Sequence, residues 1–359
     1  MLDAMQRQLR MDCIASLATM PSLGGKLAGH RIAVVGGTGF VGSWLAEAVT
    51  ALNDDLGCSV RIDLLGRSAA AWQVAHAHLK RSDVEVHAVD ARSPFELPRE
   101  TTMVVFAAGI ADPRVQASDP HRVFETNIFC LDHSLAAAGR LENIHRFVNL
   151  SSGLVLGGDL PRRALTETDL GSLDFTRLHN LYAETRRAAE SLAGAYASQH
   201  RLPLSTARAF TFLGPYQPLD APWAVNNFIR DALSGHEIRI HGDGATRRSY
   251  LYGSDVAGWL LKTLVDGSDG GAYNLGGIEP VTHGDAATWV AARTTPSPQL
   301  VYKSLPRDES RNHDFYSDVS HTMKALGVQV TFDVRTSIER SMRWHASRIG
   351  AARRVRLDA

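Results

Sequence analysis

The sequence predicts an α/β fold in which helices cover both faces of a parallel sheet, followed by a smaller lobe. Short apolar, strand-like runs alternate with helical stretches from residue 31 to about residue 210, as in a doubly wound sheet. The first run, "RIAVVGG", ends in glycines, and "FVGSWLAEAVTALN" then carries apolar residues at helical spacing. After Phe210 the chain becomes rich in Pro, Gly, aromatic and charged residues, which is typical of loops and short elements.

The later strands follow in chain order as "SVRIDLL", "VEVHAVD", "TMVVFAAG", "HRFVNLSS" and "LPLSTARAF". Near-continuous apolar strands of this kind are expected where both faces of a parallel sheet are buried. Long helices are predicted over 120–139 and 180–200. An amphipathic N-terminal helix is also predicted, and its apolar residues are Leu2, Met5, Leu9, Cys13 and Leu17.

This pattern divides the chain into four parts. They are an N-terminal helical extension over 1–30, a sheet domain over 31–210 plus about 250–280, a ligand-binding lobe over 211–249 plus 281–345, and a basic tail over 346–359. The lobe is assigned to ligand binding because loops carried by a rigid sheet are where binding residues usually lie.

The composition describes an ordinary globular chain. Its 359 residues are 44% apolar and 21% charged, and the formal net charge is zero. A neutral chain has no long-range attraction for nucleic acid or an anionic membrane, so we expect neither as a partner. No apolar run reaches the roughly 18 residues of a membrane span. The N-terminal segment lacks the continuous apolar core of a secretory signal.

The cysteines and histidines predict no metal site and no disulfide. Cys13, Cys58 and Cys130 lie far apart and match neither a disulfide framework nor a zinc-binding spacing. The histidines are scattered without a ligand pattern, so no bound metal is expected. Sparse cysteines fit a reducing compartment, and we expect a cytoplasmic location.

The glycines after the first strand form a phosphate-binding motif. "VVGGTGFVGSWL" places Gly36, Gly39 and Gly42 directly after a strand and at the start of a helix. The first glycine permits a tight turn, the second allows close approach to a pyrophosphate, and the third lets the helix pack on the strand. The helix N-terminus supplies N–H groups and a positive dipole end for the phosphates. This context predicts a Rossmann-type dinucleotide-binding domain.

The dinucleotide is expected to be NAD or NADP, and the end of the second strand decides between them. An acidic residue there accepts the ribose 2′-OH of NAD, whereas a basic residue accommodates the 2′-phosphate of NADP. In "RIDLLGRS", Asp63 would end a short strand and favour NAD. A strand that continues through Leu65 would bring Arg67 to the ribose and favour NADP. The apolar run of Ile62, Leu64 and Leu65 favours the longer strand and therefore NADP.

Five motifs in order carry a family resemblance: "GGTGFVG", "FAAG", "NLSSG", "YAETR" and "RSYLYGSD". Together they resemble the extended short-chain dehydrogenase/reductases. The narrower resemblance is to the nucleotide-sugar epimerase/dehydratase branch, which includes UDP-glucose 4-epimerase, dTDP-glucose 4,6-dehydratase and UDP-glucuronate decarboxylase. It covers about residues 30 to 345 and implies an enzyme that binds NAD or NADP and a nucleotide-diphosphate sugar.

The resemblance also implies roles for individual residues. It implies that Ser152, Tyr182 and Arg186 are catalytic, with Arg186 where the family has Lys. It implies that Ser152, Thr211, Asn227 and Arg248 contact the substrate. Besides Tyr182 and Arg186, the implied cofactor-binding residues are Gly36, Thr38, Gly39, Phe40, Val41, Gly42, Asp63, Arg67, Asp90, Ala91, Ala107, Ala108 and Gly109.

A Tyr with a cation four residues later makes chemical sense on a helix. Residues i and i+4 share a face, so Tyr182 and Arg186 are predicted neighbours. A fixed cation stabilises a phenolate, which then serves as the base for a sugar hydroxyl. Guanidinium is always protonated, so the charge of the usual Lys is retained with a different size and geometry.

The residues after Ser152 favour one reaction class. Related dehydratases have an Asp-Glu pair there and related decarboxylases have a Glu, whereas this chain has Gly153 and Leu154. An epimerase or keto-sugar reductase that transfers hydride at the sugar ring, at C4, is therefore expected. A dehydratase or decarboxylase remains an alternative. A degenerate sensor or partner subunit is a third, because Arg186 replaces Lys and Leu156 and Thr211 also depart from the family.

The resemblance further implies a homodimer. Relatives pair two long helices from each subunit into a four-helix bundle, which here would use 120–139 and 180–200. The apolar residues that allow such a bundle, and that could equally belong to the core, are Val123, Phe124, Ile128 and Leu131.

Overall fold

The computed structural model describes residues 2–157, 163–303 and 314–350. The strands are β1 (Arg31–Val35), β2 (Arg61–Gly66), β3 (Val84–Ala88), β4 (Met103–Phe106), β5 (Arg146–Ser152), β6 (Leu204–Ala209), β7 (Thr211–Leu213), β8 (Ile238–His241), β9 (Arg247–Tyr252), β10 (Ala272–Leu275), β11 (Pro280–Thr282) and β12 (Leu300–Lys303). The helices are α1 (Ala4–Ala18), α2 (Leu23–Leu27), α3 (Phe40–Leu56), α4 (Ala69–Ala75), α5 (Pro113–Ser118), α6 (Pro120–Phe124), α7 (Cys130–Gly139), α8 (Leu181–His200), α9 (Ala224–Ser234), α10 (Gly253–Asp266), α11 (His283–Ala292), α12 (Ser320–Leu326) and α13 (Val334–Arg348).

The central sheet confirms the predicted α/β class. Within the described residues it has seven strands in the order β10-β6-β5-β4-β1-β2-β3, and every neighbouring pair is parallel. β1 lies between β4 and β2, so the chain order reverses beside it. The crevice outside the carboxyl ends of the strands at such a reversal is the usual ligand site of a doubly wound sheet.

Helices bury both faces of this sheet. On one face, α1, α3 and α10 enclose large side chains such as Trp44 and Trp259, and on the other α7 and α8 cover Phe106 and Phe147. Burying one such side chain fully is worth about 1.5–3 kcal/mol. The predicted helix over 120–139 is present as α6 and α7 joined by a π-helical turn at Glu125–Phe129.

The second lobe contains more regular structure than its sequence suggested. A three-stranded sheet β11-β9-β7 and a β12-β8 pair lie beside helices α9, α11 and α13. These helices bury apolar residues that include Phe228, Val290 and Met342. The predicted start of a solvated tail at residue 346 is wrong, since α13 continues to Arg348 and buries Ala346. Residues 351–359 of that tail lie outside the described residues.

The predicted N-terminal helix is α1. Asp3 caps it, because its carboxylate accepts the backbone N–H of Gln6 and the Gln6 side chain accepts the N–H of Asp3. Leu9, Cys13 and Leu17 are buried against α3 and α10. Among the described residues, no helix is both long and apolar enough to cross a membrane.

A buried carboxylate on α1 ties the N-terminal extension to both parts of the chain. Asp12 accepts a hydrogen bond from Tyr252 Oη at 2.8 Å and pairs with Arg340 of α13. Burial raises the pKa of Asp12 to about 7, because desolvation of the carboxylate outweighs its attraction to Arg340. Ser16, one turn later, donates to Asp255 at 2.7 Å.

This raised pKa predicts a pH-dependent stability. The folded pKa of Asp12 lies above its unfolded value of 3.8. The stabilisation that the protonated Asp12 gives to the folded state is therefore complete below about pH 4 and is lost as the pH rises through 7. Asp12→Asn keeps an acceptor for Tyr252 and removes the ionisation. The free energy of unfolding of the wild type should therefore fall relative to Asp12→Asn between pH 4 and pH 8, by at most roughly 4 kcal/mol. Urea unfolding of both proteins at several pH values measures it, and parallel curves would contradict it.

Candidate active site

The glycine turn brings β1, α3 and the end of β4 into close contact. Gly36 has φ +82°, and a Cβ on it would lie 2.7 Å from the backbone nitrogen of Ala108. A Cβ on Gly42 would overlap the carbonyl of Gly37, so only glycine lets α3 begin here. Gly39 is the N-cap of α3. The turn therefore leaves an open cradle for phosphates at a helix N-terminus, and this geometry fits a dinucleotide.

One large cavity extends from this turn to the second lobe. Its volume of about 2780 Å³ exceeds the roughly 300–1,000 Å³ of a site for one drug-sized ligand, so it has room for two. The predicted residues that line it are Gly36, Thr38, Gly39, Phe40, Val41, Arg67, Asp90, Ala91, Ala107, Ala108, Gly109, Ser152, Tyr182, Arg186, Thr211, Asn227 and Arg248. Gly42 lies behind the turn and Asp63 in the sheet, and neither lines the cavity.

Tyr182 and Arg186 lie one helical turn apart on α8 and face the cavity. Their side chains touch, since Arg186 Nε donates to Tyr182 Oη at 3.3 Å and the guanidinium lies 5.3 Å from the ring centre. Tyr182 is 8% exposed and Arg186 is 3% exposed. A cation held this close in a site with little water stabilises negative charge on the phenolic oxygen.

Backbone carbonyls at the ends of two strands fix the guanidinium. Arg186 Nη1 donates to the carbonyl of Leu150 on β5, and Nη2 donates to that of Ala108 just after β4, each at 3.1 Å. The planar fork of arginine can reach both carbonyls at once, which the single ammonium of lysine cannot do in the same way. Arg186 lines the cavity, and its contact with a cofactor stays a prediction.

Ser152 ends β5 beside this pair. Its hydroxyl accepts the backbone N–H of Leu154 at 3.2 Å and caps the 3-10 turn Gly153–Leu156. It is largely buried and lines the same cavity as Tyr182. The serine hydroxyl can still donate its own hydrogen to a substrate oxygen.

Asp63 does not reach the ribose end of the cavity. β2 continues through Gly66, so Asp63 lies in mid-strand, where Arg31 donates to it at 2.6 and 2.8 Å and His87 lies at 2.7 Å. The assignment of Asp63 to cofactor binding is therefore corrected. The carboxylate neutralises Arg31 inside the sheet, a pairing between distant residues that the local sequence did not reveal. The alternative with the longer strand is the one that the structure has.

Arg67, Asp90 and Ala91 lie at the cavity end next to β2 and β3. Arg67 directly follows β2, as the longer strand requires. Asp90 forms a bidentate pair with Arg92, whose hydrogen bonds hold the pKa of Asp90 at about 2. This end of the cavity therefore carries one carboxylate and two guanidinium groups.

Asp63 also belongs to a group that could hold a metal ion. Its ligand atom and those of Glu85 and His87 lie within 4.8 Å of one another. Arg31 contacts both carboxylates, at 2.8 Å from Asp63 Oδ1 and 3.0 Å from Glu85 Oε2. A guanidinium already compensates these charges and would repel a metal cation, so the group is explained as an ion-pair cluster.

The residues predicted to bind substrate lie around the far end of the cavity. Thr211 begins β7 and Arg248 lies on β9, where its guanidinium stands 5.8 Å from the Phe315 ring centre. Burial lowers the pKa of Arg248, and a buried cation of this kind is favoured by an anion beside it. Asn227 donates to the carbonyls of Ala221 and Leu219, at 2.5 and 3.4 Å, so its amide group shapes the loop before α9.

Other residues that line this end were not singled out in the sequence. They are Gln217, Trp223, Arg230, Arg239, Tyr302, Lys303 and Phe315. Lys303 reaches the cavity because β12 pairs with β8, which sets it beside His241. Only Arg239 could have been found, from the alternation of exposed and buried residues in β8.

The sequence is similar to those of known proteins. A sequence model described as the NAD dependent epimerase/dehydratase family matches residues 32–276. UDP-glucuronic acid decarboxylase 2 of Arabidopsis thaliana is 28% identical over 318 residues, which cover 88% of this chain and 68% of that protein. UDP-glucuronic acid decarboxylase 3 of the same plant is 26% identical over 317 residues, covering 86% of each chain.

Solved structures show the same fold. The epimerase Mth375 of Methanothermobacter thermautotrophicus superposes with a TM-score of 0.78 at 21% identity, covering 93% of this chain and 97% of that one. UDP-glucuronic acid 4-epimerase of Bacillus cereus, in complex with UDP-glucuronic acid and NAD, gives 0.76 at 22% identity, covering 88% and 99%. With a family match over most of its length, the chain belongs to the NAD-dependent epimerase/dehydratase family of extended short-chain dehydrogenase/reductases.

Proposed function

We propose that the protein is a nucleotide-diphosphate-sugar epimerase or keto-sugar reductase that moves hydride at C4 of the sugar ring. The space beside Gly153 carries this proposal. A Cβ on Gly153 would lie 2.6 Å from the Phe210 ring, and that ring stacks on Phe315 with centres 4.6 Å apart. The acidic residue that follows the Ser or Thr in related dehydratases and decarboxylases is absent here, and a neighbouring ring fills its place.

In this proposal Tyr182 exchanges the proton of the C4 hydroxyl, and Ser152 holds the same oxygen. Arg186 stabilises the phenolate while the proton is away, from its position at 3.3 Å. The bound dinucleotide would supply or accept the hydride. Gly36, Gly39 and the first turn of α3 would hold its phosphates. The stacked rings of Phe210 and Phe315 would form an apolar wall beside the reacting sugar.

The far end of the cavity would hold the nucleotide diphosphate of the sugar. Arg248 is the proposed principal phosphate contact, because it is a half-buried cation in the cavity wall. Thr211 and Asn227 lie at the same end and would contact the sugar and the diphosphate. The Arg247 guanidinium next to Arg248 is held by Asp314 at 2.8 Å.

Two other functions are each favoured by one observation. A decarboxylase is favoured by the similarity to the plant UDP-glucuronic acid decarboxylases. A nucleotide-binding sensor is favoured by the contacts of Arg186. Its Nη1 and Nη2 donate to the carbonyls of Leu150 and Ala108, so those hydrogens are not available to a ligand. Identifying the product separates the epimerase or reductase, the decarboxylase and the sensor.

Turnover should be detected on one member of a panel of UDP-, dTDP-, CDP- and GDP-sugars and their 4-keto forms. Mass spectrometry of the product decides the reaction, because epimerisation keeps the mass, reduction adds two hydrogens, decarboxylation removes carbon dioxide and dehydration removes water. Tyr182→Phe should lower kcat about 10²–10⁴-fold, as expected for loss of a general acid/base.

Two variants on the same helix control this experiment. Arg186→Met should also lose most activity, because it removes the cation that contacts Tyr182 Oη. Tyr196→Phe should keep it, since Tyr196 packs on His200 near the other end of α8. Cofactor binding without turnover on the whole panel would instead establish the sensor.

We further propose that the cofactor is NADP, although the family is named for NAD. Arg67 and Ser68 follow β2 and line the cavity where the adenosine ribose would lie. NADPH should therefore bind more tightly than NADH, and Arg67→Ala should weaken NADPH about tenfold with little effect on NADH. Fluorescence titration measures both. Arg61→Ala, at the opposite end of β2, is the matched control, and an equal loss for both nucleotides would contradict the proposal.

We also propose a homodimer that pairs α6, α7 and α8 of two subunits. Val123 and Leu131 belong to the core of the subunit, whereas Phe124 and Phe129 are 41% and 43% exposed. In the middle of α8 the exposed residues are small, Ala188, Ser191, Gly194 and Ala195, which allows close helix packing. Sedimentation should give a dimer, and Ser191→Arg should give a folded monomer with a somewhat lower unfolding temperature, because association stabilises the folded state. A monomeric wild type at micromolar concentration would contradict the proposal.

A further inference from the structure

The absence of a side chain at Gly109 is explained by Arg186. A Cβ built on Gly109 would overlap Arg186 Nη2 and lie 3.3 Å from Cζ. Apart from its two chain neighbours, no other described residue has an atom within 4 Å of that Cβ. The backbone of Gly109 does not have a positive φ, so it does not need glycine for a left-handed turn. Among the described residues, the side chain that excludes a Cβ here is therefore the guanidinium of Arg186.

The guanidinium cannot move aside without losing its contacts. Nη2 is held by the carbonyl of Ala108 and Nη1 by that of Leu150, while Nε reaches Tyr182 Oη. A methyl group at position 109 would displace Nη2 from the Ala108 carbonyl. That displacement would rotate the whole planar group and lengthen its bond to the phenol.

We infer that Gly109 is a positioning residue that lets arginine take the place of lysine in this active site. A lysine at 186 ends in Nζ at about the place of Cζ, and so has no atom where Nη2 lies. An alanine at 109 would then lie at a tight 3.3 Å from the end of the lysine side chain, which is flexible enough to shift by a few tenths of an ångström. Arginine at 186 and glycine at 109 therefore depend on each other. Changing either one alone should weaken the site more than changing it when the other has already been changed.

A double-mutant cycle of Gly109→Ala and Arg186→Lys tests this coupling. Gly109→Ala should raise the Kd for the reduced dinucleotide about tenfold, and Arg186→Lys about threefold. The double variant should bind within about threefold of Arg186→Lys, so that alanine costs nothing once arginine is gone. If the two losses multiply, Gly109 acts independently of Arg186 and the inference fails. An unchanged Kd in Gly109→Ala also overturns it.

Two further measurements complete the test. Gly194→Ala is the matched control on α8, because a Cβ there meets nothing within 4 Å and the variant should bind like the wild type. If Gly109→Ala does not fold, the melting temperatures decide. A folded double variant supports the coupling, and an unfolded one refutes it.

The inference rests on the proposed function only for its catalytic consequence. Where a sugar is turned over, Gly109→Ala should lower kcat about tenfold with KM for the sugar little changed, because the guanidinium contacts the phenol. The double variant should recover the kcat of Arg186→Lys. Dinucleotide binding needs no sugar, so the cycle keeps its meaning even if no nucleotide sugar is converted.

Discussion

The active site depends on how closely the ends of β1, β4 and β5 approach one another at the carboxyl edge of the sheet. A Cβ on Gly36 would lie only 2.7 Å from the backbone nitrogen of Ala108, so the two segments pack closely. Two nitrogens of Arg186 are held by backbone carbonyls, one of β5 and one of the segment after β4. In a parallel sheet the terminal carbonyls and N–H groups have no strand partner, so they are free to bind ligands or side chains. Here backbone N–H groups of the glycine turn and the guanidinium of Arg186 bind terminal carbonyls of the strands.

The elements found from the sequence were those whose signal is local. The strands, the glycine turn and the Tyr182–Arg186 pair follow from periodicity, from a required backbone angle and from helical spacing, all of which involve neighbouring residues. Features that join distant segments were not found. The partner of Asp63 is Arg31 on the adjacent strand, and Lys303 reaches the cavity only because β12 pairs with β8. Nothing in the local sequence fixes such pairings.

The polar contacts of the N-terminal extension also join distant segments, and the sequence did not predict them. Its apolar face predicted that it packs on the body of the protein, and Leu9 and Cys13 do so. Its polar contacts were not predictable, because Asp12 is bound by Tyr252 of β9 and Arg340 of α13, far along the chain. A buried, hydrogen-bonded carboxylate contributes little net stability, but it accepts few alternative partners. The extension thereby fixes α13 of the second lobe relative to the sheet.

Two glycines at the active site lack side chains for the same physical reason and with different chemical results. At Gly153 the space is taken by the ring of Phe210, and at Gly109 it is taken by the guanidinium of Arg186. Protein interiors are close-packed, so a volume filled from one position is unavailable to another. In the proposed function, the aromatic ring next to Ser152 stands where related dehydratases and decarboxylases have an acid, which leaves hydride transfer without a group for elimination. The guanidinium next to Tyr182 would keep the positive charge that the family lysine supplies. On this proposal, the reaction class and the departure from the family lysine both depend on which side chain fills the space beside a glycine.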